Sequence, residues 1–105
     1  MPYYVYVIQL DKEVLNSRKF RDKNPTMNPR KPCYYVGQSA HPPEVRFRQH
    51  KQGYKSNSFV KRFGITLSPK HYQKYNPVET REQAEALEQY LTKKLRKKRH
   101  GVWSN

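Results

Sequence analysis

The chain has 105 residues, with 22 lysines and arginines against 8 aspartates and glutamates, for a formal charge of +14. Its apolar fraction of 34% lies below the ~45–50% usual in soluble domains, so the core is thin and depends on its nine tyrosines, four phenylalanines and one tryptophan. No apolar run approaches the ~20 residues that span a bilayer, no charged-then-apolar leader pattern opens the sequence, and the single Cys33 rules out an internal disulfide.

A pI near 10.1 points to a polyanion as partner, because lysines and arginines that neutralise phosphates release condensed counterions. Nucleic acid fits that charge better than a membrane surface does. The expected compartment is the cytoplasm, and the length suits one domain spanning 1–105.

Residues 3–10, Tyr-Tyr-Val-Tyr-Val-Ile-Gln-Leu, are β-branched and aromatic and read as a strand. Residues 11–32 then carry lysine, arginine, aspartate and asparagine with Pro25, Pro29 and Pro32, which predicts a long, basic, mostly irregular insertion. A second strand over 33–38 is expected to run antiparallel to the first. Pro42 and Pro43 suit the first turn of a helix running to about Gln52 and stopped by Gly53. A short helix over about 56–63, closed by Gly64, and a short third strand over 65–68 follow.

The C-terminal helix carries the strongest pattern. Thr80 is an N-cap and Gln83 completes a capping box. Ala84, Leu87, Leu91 and Leu95 make one apolar stripe. The helix ends in Lys93, Lys94, Arg96, Lys97, Lys98 and Arg99, partly suited to the negative end of its dipole. Trp103 is expected to pack the C-terminus back onto the domain.

Three groups of residues point to chemistry. With Ala84 at zero and about 100° per residue, Leu87 falls at ~300°, Leu91 at ~340°, Leu95 at ~20°, and Glu88 at ~40°, within the stripe. A carboxylate there is costly unless paired or bound to a metal. A structural bridge to an arginine and an oxygen ligand for a divalent cation are equally open readings. Arg46 and His50, four apart on the second helix pattern, share one face; the arginine can clamp a phosphate and the histidine can move a proton. Tyr6 and Tyr35 lie at matching depths on neighbouring strands, and Gly37 opens close approach beside them. The histidines (His41, His50, His71, His100) and Cys33 lack zinc-site spacing, and no phosphate loop or dinucleotide motif is present.

Together these residues resemble the GIY-YIG nuclease family. Tyr4-Val5-Tyr6 stands where the first motif would be and Tyr35-Val36-Gly37 where the second would be. Arg46-Phe47-Arg48-Gln49-His50 resembles the family's Arg-x-x-x-His helix, Ala84-Glu85-Ala86-Leu87-Glu88 its glutamate-bearing helix, and Asn105 its late asparagine. Tyr4 replaces the motif's glycine and Val5 its isoleucine, and the 28 residues between Tyr6 and Tyr35 exceed the usual link.

The resemblance implies a small α/β (α+β) domain with a three-stranded antiparallel sheet flanked by helices. The implied activity is that of a DNA endonuclease hydrolysing phosphodiesters with one Mg²⁺ or Mn²⁺ ion on Glu88. Tyr6 would help deprotonate the attacking water with His50 assisting, Tyr35 would orient phosphate or water, Arg46 would stabilise the pentavalent phosphorus, and Asn105 would position one of these groups.

Substrate is expected along Tyr4, Gly37, Gln38, Ser39, Arg48, Lys51, Tyr54 and Lys55. Aromatics interleaved with cations at 53–55 and 71–75 suit single-stranded DNA slightly better than duplex, bound by a monomer or weak dimer. The rival reading is a non-catalytic nucleic-acid-binding module of the same fold, and a weaker third is a basic accessory protein that binds RNA.

Overall fold

A computed structural model describes residues 1–104; Asn105 lies outside the described residues. Strand β1, Tyr4–Leu10, is the hub. It pairs antiparallel with β2, Cys33–Ser39, and on its other edge with β3, Gly64–Leu67. Val5, Tyr6, Val7, Ile8 and Leu10 are all at most 1% exposed, so β1 is covered on both faces. That explains its near-continuous apolar run in place of a clean alternation.

Gly101–Ser104 forms β4, parallel to β2, which completes a mixed four-stranded sheet in the order β3-β1-β2-β4. The expected three-stranded antiparallel sheet is therefore corrected by one strand. A four-residue strand shows no usable alternation in sequence, and its pairing rests on long-range register. Trp103 packs its ring 4.7 Å from Phe59, holding the C-terminal segment on the fold.

Among the described residues there are four α-helices: α1 (Arg18–Asp22), α2 (Pro43–Gln52), α3 (Ser58–Phe63) and α4 (Arg81–Lys97). The capping box at Thr80 and Gln83 is formed, and Gly53 closes α2 with φ of 85°, a conformation glycine adopts without a Cβ penalty.

The 11–32 connection is more ordered than its composition suggests. A 3₁₀ turn at Lys12–Asn16 and helix α1 occupy its first half. Phe20 is fully buried and Asn24 nearly so. The Asn24 amide donates to the Phe20 carbonyl at 2.8 Å, and its oxygen accepts from the Val102 amide at 2.9 Å and from Arg96 Nε at 3.2 Å. One asparagine thus ties the insertion to β4 and α4, which offsets part of the ordering entropy of a long loop.

Candidate active site

Strand register sets the site. Tyr6 pairs directly with Gly37, and Ile8 with Tyr35, so Tyr6 and Tyr35 point to the same face two positions apart. Their rings sit 6.2 Å apart. A Cβ at position 37 would lie 2.6 Å from Cζ and Oη of Tyr6 and 2.9 Å from Cε2 of Tyr35. Only glycine lets the Tyr6 ring lie across β2 in this way.

Helix α2 brings His50 onto the same face. Its Nε2 is 2.9 Å from Tyr6 Oη, and its ring meets the Tyr35 ring edge-on at 5.6 Å. The Asn57 backbone N–H donates to His50 Nδ1 at 3.1 Å. Because Nδ1 accepts, the neutral ring carries its proton on Nε2 and donates it to Tyr6 Oη. Burial, and then the charge of Arg46, lowers the His50 pKa to about 4, so the ring is neutral at pH 7. Burial holds the Tyr6 hydroxyl far above its ordinary value, the charge of Glu88 adds to that, and the charge of Arg46 opposes it.

Arg46 lies one turn before His50. Its guanidinium donates to the carbonyls of Tyr54 at 3.2 Å and Lys55 at 2.6 Å, and to Gln49 Oε1 at 3.3 Å. Lys55 has φ of 43°, in the left-handed region. Arg46 therefore holds the loop after α2 while its charge still reaches Tyr6 and His50. Beside it runs an open polar groove of about 480 Å³, lined in part by Gln38, Ser39, Arg46, Tyr54 and Lys55.

Glu88, on α4, is 8% exposed. Among the described residues its carboxylate has no hydrogen bond and no ion pair; the two pairs present are Arg18–Asp22 and Arg81–Glu85. The alternative of an arginine beneath the helix is not realised. On α4, Arg81 pairs with Glu85, and Arg96 donates to Asn24 and to the Val102 carbonyl. Desolvation, and then the charge of Glu85, raises the Glu88 pKa to about 7.

No group of three histidines, cysteines or carboxylates suited to a metal exists among the described residues. A single unpaired carboxylate still fits Mg²⁺, which keeps several waters and takes one or two carboxylates together with phosphate oxygens.

Other expected residues fall elsewhere. Lys51 donates to the carbonyls of Lys61 at 3.1 Å and Gly64 at 2.9 Å; it is tied to the end of α3 rather than to the groove. Arg48 is exposed and Tyr4 half-buried, and neither lines the groove. Of the two aromatic–cation segments, 53–55 presents Tyr54 at 55% exposure, whereas Tyr72 is 3% exposed. The 71–75 stretch is therefore not an open stacking array.

Sequence reasoning missed Tyr3, His41 and Arg81 on the groove and the amide of Asn57 behind His50. None carries a local signal. Arg81 arrives through the pairing of Tyr3 with Val78, and Asn57 through the turn between α2 and α3.

The family model described as the GIY-YIG catalytic domain matches residues 2–100. No curated protein and no solved structure matches the chain.

Proposed function

The chain belongs to the GIY-YIG nuclease family, and from that membership and the geometry of its site we propose that it is a metal-dependent DNA endonuclease hydrolysing phosphodiester bonds. The observation that carries this reading is Glu88: a buried carboxylate without a partner, on the helix that bounds a tyrosine–histidine pair. A binding module needs cations and has no use for a desolvated, unpaired acid.

The contacts support the following division of roles. Arg46 holds the groove loop and places a fixed positive charge for the phosphate that gains charge during attack. The attacking water gives its proton to Tyr6 Oη as its oxygen bonds phosphorus; the P–O ester bond breaks, and the leaving oxygen takes a proton from solvent. For this Tyr6 must first lose its own proton. That proton goes to solvent hydroxide on the side away from His50, which already presents an N–H to the same oxygen, and burial works against its loss. His50 then stabilises the phenolate by donation. Tyr35 orients the phosphate or the water through its place beside Tyr6. Glu88 would hold one Mg²⁺ or Mn²⁺ ion, which would supply charge neutralisation at the phosphate. Asn105, outside the described residues, is assigned to positioning.

Tyr54, exposed and adjacent to Lys55 at the groove, favours single-stranded DNA, whose bases stack on such rings. The test is cleavage of labelled single- and double-stranded DNA by the wild type with Mg²⁺, with Mn²⁺ and with EDTA. The expected result is cutting with either ion, faster on the single strand, and none with EDTA. Equal rates on both forms remove the strand preference. Binding to both forms with no cutting under any condition replaces the enzyme by a binding module.

A further inference from the structure

Helix α4 turns two different faces to its surroundings. With Glu88 at zero and about 100° per residue, Lys93, Lys97, Tyr90 and Lys94 fall between ~140° and ~240°. They occupy the side of the helix opposite the catalytic glutamate, where they line a depression of about 320 Å³. Tyr90 is 51% exposed there, and Lys94 Nζ sits 5.8 Å from the centre of its ring.

The positive surface continues past the end of the helix. Tyr34, on the opposite face of β2 from Tyr35, is flanked edge-on by His71 at 4.9 Å and His100 at 5.0 Å. Besides burial, the charges of Lys70, Lys94 and Lys98 bear on His71, and those of Lys31, Lys70 and Lys98 on His100. Among the described residues no carboxylate pairs with any of these lysines. So many unneutralised cations converging on one surface repel one another until a polyanion is bound.

We propose that the outer face of α4 is a second nucleic-acid contact, separate from the catalytic groove, at which Lys93, Lys94 and Lys97 hold the phosphate backbone of an unpaired strand while Tyr90 stacks one of its bases. The strand form is chosen by Tyr90: a ring this exposed within a ring of ammonium groups offers a stacking surface that a duplex does not use. A strand long enough to occupy both faces passes around the helix. This proposal rests on the reading of the chain as a nucleic-acid-binding domain, though not on its catalysis.

The test uses the full chain in EDTA and labelled single-stranded DNA of about 8 nucleotides, enough for one such site, and about 30 nucleotides, enough for both. The triple variant Lys93→Ala, Lys94→Ala, Lys97→Ala is expected to bind the long strand about tenfold more weakly. It should also lower the slope of log affinity against log salt by about 2, from three phosphate contacts at ~0.7 each. The loss is confined to the long strand. Tyr90→Ala weakens the long single strand several-fold and leaves a duplex of equal length unaffected. Lys97→Glu provides a single-site variant should the triple variant lose its far-UV circular dichroism.

Equal losses at both lengths, or none at either, overturn the proposal. So does competition by anionic lipid vesicles that matches DNA on the wild type and disappears in the triple variant. Cleavage of the short strand with Mg²⁺ is read separately: its absence defeats the nuclease reading and leaves this surface standing.

Discussion

Tyr6 Oη and His50 Nε2 meet at 2.9 Å in the interior, and the other nitrogen of the same imidazole accepts the Asn57 N–H at 3.1 Å. The ring is thereby fixed as a donor to the tyrosine. Long-range ¹H–¹⁵N spectra at pH 7 should show a neutral His50 protonated on Nε2. A ring protonated on Nδ1 would make His50 a proton acceptor for Tyr6 and reverse its assigned role.

Replacing Tyr6 by phenylalanine keeps the ring over Gly37 but strands a buried N–H on His50. That orphaned donor costs ~1–3 kcal/mol, read as a lower urea midpoint. Phosphodiester cleavage should fall by at least about 100-fold, the usual weight of a positioned proton acceptor. A variant that cuts at the wild-type rate would remove Tyr6 from the reaction.

Gly37→Ala tests the close approach across β2. The new methyl group meets the Tyr6 ring at 2.6 Å, and both tyrosine rings there are at most 1% exposed, with no room to retreat. The variant should lose ~1–3 kcal/mol, as overpacked cores do, and lose cleavage together with the Tyr6–His50 hydrogen bond. Unchanged stability and rate would show that the ring does not depend on the glycine.

Two buried groups move stability in opposite directions with pH. His50 titrates near 4 in the fold and near 6.5 unfolded. The folded state therefore binds fewer protons across that window, and stability falls as pH drops through it. Glu88 titrates near 7 in the fold, against an ordinary 4.5. There the folded state binds more protons, and stability falls as pH rises from about 4.5 to 7. In metal-free buffer at pH 8, Glu88→Gln should be more stable than wild type by on the order of 1–3 kcal/mol, and the two should converge near pH 4. Equal stability at pH 8 contradicts an unpaired, desolvated carboxylate.

What the sequence made legible was periodic or local. The cap at Thr80, the stop at Gly53 and the stripe that buries Glu88 depend on neighbours within a turn or two, and each is formed. The outcome of the Glu88 alternatives was not legible, because where an arginine finds its partner is set by long-range packing; Arg96, for one, meets Asn24, 72 positions away. Strand β4 was hidden for a similar reason: four residues carry no alternation, and their parallel pairing to β2 depends on where α4 ends. Lys51 looked like a substrate cation from its place beside His50, but the carbonyls it meets belong to the end of α3. Charge marks a residue as basic and says nothing about which oxygen it will find.

The most direct measurement compares wild type with Glu88→Gln on one labelled single-stranded DNA, reading binding in EDTA and cleavage in Mg²⁺. The substitution keeps the size of the buried group and removes its charge. The predicted result is binding within about threefold of wild type and cleavage slower by at least about 100-fold. A variant that cuts as fast as wild type, with the same dependence on Mg²⁺, would contradict the assignment of Glu88 as the metal-holding residue.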